Sequence, residues 1–186
     1  HIMLNACMTE ELPADAIRAL GGRECWGATP ADPMGTTVRR IGPAQGGNRI
    51  VIRQGGYYRP DMQTSAADLA RVTRIMRRKF DARFPALAGI RFEHAWSGHL
   101  CLAKNAVSVM RELEPGLYAA CVQNGLGSAR GTLTGIGAAE LACGQRSAIT
   151  DFFTAETEPA RLPPHPFDTI GANAYLRWKE WQSRLE

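Results

Sequence analysis

The chain has 186 residues, 45% hydrophobic and 22% charged, with a net charge of +4. That is the length of one ordinary globular domain, long enough to bury a core. So small a charge, with no reading element beside it, excludes a dedicated nucleic-acid binder. The absence of an apolar run of about 18 residues excludes a transmembrane helix.

The densest basic run, Arg71, Arg74, Arg77, Arg78 and Lys79, falls on a predicted helix and reads as a solvated face. Five cysteines without CxxC spacing argue against a disulfide framework or a metal site, and for a reducing, cytoplasmic setting.

His1-Ile2-Met3 reads as a cloning remnant outside the fold, followed by a strand-like Leu4 to Met8. A short helix is expected from Pro13 to Leu20, with Pro in its first turn and Gly21-Gly22 as its stop. Cys25 to Pro33 reads as loop. Thr36 to Ile41 and Arg49 to Arg53 read as a hairpin, with Gly55-Gly56 ending the second strand in a bulge or a close backbone approach.

Ser65 to Phe84 is the strongest helix. Ser65 and Asp68 form a near capping box, and Leu69, Val72, Met76 and Phe80 mark one apolar face. Ile90 to Trp96 alternates as a strand that Ser97-Gly98 should break, with a further strand at His99 to Ala103 and a turn at Arg111 to Gly116. After Gly144, Pro159, Pro163, Pro164 and Pro166 predict irregular chain. A last amphipathic helix follows at about Asn173 to Leu185, with Ala174, Trp178, Trp181 and Leu185 on one face. Hairpin strands, a long helix and one strand–turn–helix make an α+β fold: an antiparallel sheet with one long helix, then a separate strand–glycine turn–helix.

That strand–turn–helix, residues 117–144, carries the clearest chemical signal. An apolar strand, Leu117 to Val122, feeds a turn holding Asn124, Gly125, Gly127 and Gly131. A helix with small residues at Gly131, Gly135, Ala138 and Ala142 follows. A helix start reached through glycines offers backbone N–H groups and a positive dipole end to an electron-rich ligand. The G-x-G-x-x-x-G spacing is one form of the dinucleotide fingerprint, but no further βαβ units follow it. A self-contained nucleotide domain is therefore not expected.

Phe84-Pro85, Trp96-Ser97-Gly98 and Asn124-Gly125-Leu126-Gly127 before a small-residue helix resemble the C-terminal half of FAD-dependent oxidoreductases of the D-amino acid oxidase, glycine oxidase and sarcosine oxidase superfamily. The nearest look is to the branch containing γ-glutamylputrescine oxidase. Pro164-His165-Pro166-Phe167 before an aromatic helix is similar to that branch's ending. Val122 stands where the family often has another glycine.

The resemblance implies a division into part of a substrate-binding domain (4–116), a strand–turn–helix returned to the flavin domain (117–144) and a proline-rich tail with a terminal helix (145–186). It implies FAD as cofactor, met at the flavin ring by Asn124, Gly125, Leu126 and Gly127. It implies an amine or amino-acid substrate, met by Trp96 and Gly98. A carboxylate partner is then sought among Arg53, Tyr57, Tyr58 and Arg59.

No catalytic base emerges; His94 and His99 read as ordinary histidines. The ADP part of FAD would be held by an N-terminal FAD-binding region of the same protein. The chain alone is then expected to be inactive, to hold no flavin, and to self-associate through an apolar docking face. The competing expectation is a stand-alone α+β module that binds a ligand or partner without a flavin.

Overall fold

The computed structural model describes residues 1–32 and 34–183; Pro33 and Leu185, both used in the sequence reading, lie outside them. The elements run β1 (Ile2–Thr9), α1 (Ala14–Leu20), β2 (Trp26–Ala28), β3 (Thr37–Ile41), β4 (Arg49–Tyr58), α2 (Ala66–Arg83), β5 (Phe92–Leu100), β6 (Val109–Glu114), β7 (Leu117–Cys121), α3 (Thr132–Ala142), α4 (Ala148–Thr154) and α5 (Phe167–Gln182). The fold is α+β, with a five-stranded sheet in the order β2-β3-β4-β1-β5 and a hairpin β6-β7. Contacts divide the chain into two compact units. One holds Ile2–His99 with the residues from Thr169 on; the other holds Leu100–Asp168.

In the first unit, α2 lies on one face of the five-stranded sheet. Its Val72, Met76 and Phe80 pack on Met3, Cys7, Val38, Ile50, Ile52 and Tyr57. Ser65 starts the helix with a complete capping box. Its Oγ accepts the Asp68 N–H at 3.0 Å, and Asp68 Oδ2 accepts the Ser65 N–H at 3.4 Å. The amino terminus belongs to this core: Met3 is 0% exposed and pairs with Tyr57, so Ile2 and Met3 are strand and not an appendage.

Gly55-Gly56 does not end β4; the strand runs through both to Tyr58. The expected bulge is present: Leu4 pairs with Gly56 and Asn5 with Gln54, which leaves Gly55 as the extra residue at φ +76°. A bulge reverses the side-chain alternation. Ile50 and Ile52 face the core before it, and Tyr57 faces the core after it. The close approach is present as well, since a Cβ on Gly56 would lie 3.3 Å from Ile2 Cγ2 and from Met34 Cε.

Three other expectations in this unit are corrected. Trp26–Ala28 is a short strand beside β3, not loop. Ser97-Gly98 does not break β5, because backbone pairing continues to Leu100. The terminal helix begins at Phe167, and Ala174, Trp178 and Trp181 face solvent, with Trp181 59% exposed. Polar anchors set that rotation. Asn173 Oδ1 accepts the Tyr58 N–H at 3.0 Å, and Lys179 Nζ lies 3.5 Å from Asp32 Oδ2.

In the second unit, Arg111 to Gly116 is not a turn region throughout. Most of it is β6, joined to β7 at Pro115-Gly116, where Gly116 takes φ +80°. α3 packs on the hairpin through Thr134 and Gly137, while Gly135 and Ala142 of the expected small-residue face are exposed. A Cβ on Gly137 would overlap the Met110 sulfur, so any larger residue there would force Met110 to shift. The stretch after Gly144 is not wholly irregular. Ser147 caps α4, whose Thr150 and Phe153 are buried.

Candidate functional site

In the second unit, β7 ends at Cys121 and the chain turns sharply. Val122, Asn124 and Gly125 all take positive φ, at +60°, +53° and +79°. Asparagine and glycine tolerate that region; a β-branched valine is strained there. Gly127 to Gly131 then forms one π-helical turn leading into α3. The first N–H groups of such a start have no carbonyl ahead of them in the helix. A Cβ on Gly127 would meet nothing within 4 Å, so the backbone beside it is open. Leu126 is 60% exposed.

The Asn124 side chain has a different task. Its Oδ1 accepts the Ala103 N–H at 2.7 Å, and its Nδ2 donates to the carbonyls of Val107 at 2.8 Å and Val122 at 3.0 Å. It clamps the 101–108 segment to the turn and is committed there. Arg130 extends the clamp. It donates to the Ala106 carbonyl at 2.7 Å and pairs with Glu156 at 3.0 Å, and Glu156 accepts the Ser108 N–H at 2.9 Å. The sequence reading passed over Arg130 and Glu156, which lie 26 positions apart with no local pattern joining them.

In the first unit, Arg53, Trp96 and Gly98 share the sheet face turned away from α2. Arg53 alternates with Ile52, a core residue, and pairs with Ala6 on β1 and Thr37 on β3. Ser97 Oγ donates to Asn5 Oδ1 at 2.8 Å on the α2 side, so its neighbours Trp96 and Gly98 project the other way. One strand, β1, separates Arg53 from Trp96, a spacing of about 10 Å across the sheet. Ala6 between them leaves the floor low. Thr37 Oγ1 accepts from Arg53 Nη2 at 2.9 Å and orients the guanidinium. Trp96 is 42% exposed, and a Cβ on Gly98 would meet nothing within 4 Å.

Tyr57 does not join this row, and Tyr58, on the same face, is covered. Tyr57 is buried beneath α2, where its hydroxyl meets Arg71 Nη1 at 3.1 Å and its ring lies under the same guanidinium. Tyr58 is buried where Asn173 holds its backbone. Arg59 lies 3.5 Å from Asp68 at the start of α2. The Gly55 bulge decides the first of these placements, and alternation counted along the sequence misses it. Thr37 and Ala6 are neighbours of Arg53 that sequence reasoning did not single out; only the strand pairing shows them.

No group of three or more metal-ligating side chains occurs among the described residues. Likewise, no helix among them is long and apolar enough to cross a membrane. No family model matches the sequence, and no curated protein matches it either.

Proposed function

We propose that the chain is the substrate-side, C-terminal part of an FAD-dependent oxidoreductase that oxidises an amine or amino acid by hydride transfer to flavin. One observation carries the reading. Val122 takes φ +60°, the left-handed backbone that glycine adopts freely, at the position where the resembled family often has glycine. A left-handed backbone there is one that glycine suits and valine does not favour, which supports the reading. The outer edge of β7, paired with no strand among the described residues, supports it, as do Leu133 and Ile136, exposed on the outside of α3. An apolar strand edge and an apolar helix face of this kind suit a larger sheet domain.

The residues suit a flavin through backbone rather than side chains. Gly125, Leu126 and Gly127 lead into an open helix start, whereas Asn124 supports the turn from behind. Bound there, the flavin supplies the hydride acceptor. The N–H groups at Gly127 and beyond would stabilise negative charge growing at the ring edge. On the sheet, Arg53 offers a planar fork for a carboxylate and Trp96 an apolar wall. An amine oxidised as the neutral species requires no protein base.

A second reading, a flavin-free α+β module that docks a partner, is favoured by the solvent-facing Tyr175, Trp178 and Trp181 of α5. Flavin content and an amine-substrate screen on the full-length protein separate the two. The oxidoreductase reading expects stoichiometric FAD there and none on residues 1–186 alone. A full-length protein without flavin, or FAD held by the 186-residue chain alone, overturns it.

A further inference from the structure

The sheet face turned away from α2 carries a second arginine that the row described above does not use. Arg39 alternates with Val38, a core residue, so it shares that face with Arg53. The register is unbroken here: Thr37 pairs with Arg53, Val38 with Ile52 and Arg39 with Val51. Arg53 is thus the diagonal neighbour of Arg39, a Cβ separation of roughly 7–8 Å. Arg53 Nη2 donates to Thr37 Oγ1 at 2.9 Å, which draws that guanidinium over β3. Thr37 and Arg39 are two residues apart on one strand face, a span of about 7 Å. Both guanidiniums therefore belong to the same short stretch of β3. Neither meets a carboxylate among the described residues, whereas Arg49, further back on β4, is paired with Glu93. Like charges side by side on a sheet are destabilising unless an anion offsets them. The place for one is open. Arg39 is exposed, and opposite it on β2 stands Gly27, where a Cβ would come no nearer than 3.9 Å to any neighbour.

We propose that Arg39 and Arg53 each take one carboxylate of a single small molecule, so that this face selects a short dicarboxylate: in the oxidoreductase reading, an acidic amino acid. The inference rests on Arg53 as the carboxylate fork of that reading and adds Arg39 as the residue that sets specificity. Each guanidinium is planar and matches one carboxylate through paired N–H donors. A ligand with one carboxylate satisfies Arg53 and leaves Arg39 unpaired; a second carboxylate neutralises both charges. Thr37 is a positioning residue, since it holds the Arg53 guanidinium on the Arg39 side.

The test titrates glutarate and butyrate into the 186-residue chain at matched ionic strength and follows the arginine Nε–H signals by NMR. Glutarate is expected to shift the signals of Arg39 and Arg53 and to bind at least severalfold more tightly than butyrate. Arg39→Gln should bring glutarate down to the affinity of butyrate and leave butyrate unchanged. Arg53→Gln should weaken both, and Arg74→Gln, on α2 across the sheet, neither. No flavin takes part, so a full-length protein without FAD would end the oxidoreductase reading and leave this result standing. Equal affinity for the two probes in the parent chain, a preference that survives Arg39→Gln, shifts confined to other arginines, or no binding at millimolar glutarate overturns the proposal.

Discussion

Asn124 receives the backbone N–H of Ala103 at 2.7 Å while holding φ +53° itself. One residue thus makes the turn and anchors a segment 21 positions earlier. Asn124→Gly keeps the backbone conformation and removes only the side-chain bonds. At roughly 0.5–1.5 kcal/mol for each of its three hydrogen bonds, it is expected to lower stability by about 1.5–4.5 kcal/mol. Urea unfolding measures this, and a neutral Asn124→Gly would remove the clamp.

Val122 occupies the left-handed region without glycine's freedom. Release of that strain, about 1–2 kcal/mol, exceeds the usual entropic cost of glycine, about 0.5–1 kcal/mol. Val122→Gly is therefore expected to raise stability by about 0.5–1 kcal/mol, against the normal direction for a half-buried valine. A loss of stability in thermal unfolding would show that the side chain matters more than the strain.

Gly137 and Gly135 lie on one helix with opposite surroundings. A Cβ on Gly137 overlaps the Met110 sulfur and stands 3.1 Å from Ile149 Cγ2, whereas one on Gly135 meets nothing within 4 Å. Gly137→Ala is expected to cost about 1–3 kcal/mol by overpacking. Gly135→Ala should gain about 0.5–1 kcal/mol from helix propensity. Paired unfolding curves decide; equal effects would contradict the packing of α3 on β6.

The Ser65 hydroxyl, its backbone N–H and the nearby Arg59 hold the Asp68 carboxyl below the usual range. A carboxyl whose pKa is depressed by folding adds stability above its unfolded value, and that stability disappears as pH falls through the folded one. Stability should therefore drop as pH is lowered through and below about 4, the unfolded value. Ser65→Ala should cost about 1 kcal/mol at neutral pH and make that acid-side drop shallower. Melting temperatures across the acid range test both, and an unchanged slope in Ser65→Ala would detach the cap from Asp68.

Burial raises the Cys7 thiol above its ordinary value, and Cys7 lies in the core under α2, while Cys25, Cys101, Cys121 and Cys143 are exposed. A thiol reagent should label these four quickly in the native chain and Cys7 only on unfolding. Fast labelling of Cys7 would mean that β1 is not the buried strand seen here.

The local elements were readable because their causes are local. Ser65 and Asp68 announced the start of α2, Val72, Met76 and Phe80 its buried face, and Gly55-Gly56 the bulge. Gly98 misled because an open-sided glycine leaves strand pairing intact when neighbouring strands hold it. The α5 aromatics misled because Asn173 and Lys179 fix the helix through polar contacts to Tyr58 and Asp32, so that the apolar stripe faces outward.

By itself the sequence determined the α+β class, the long helix and the strand–glycine turn–helix at Leu117 to Ala142, since hydrophobic period, capping and glycine placement act within a few residues. Only the tertiary structure decided that Arg53 and Trp96 share a face and that Tyr57 does not, that Asn124 is a clamp, and that Met3 is core. Those outcomes depend on strand order, on one extra residue at Gly55 and on partners far apart in the chain. Strand order and distant partners leave no local pattern to read, and the glycine pair that marks the bulge does not say which side chains it turns inward.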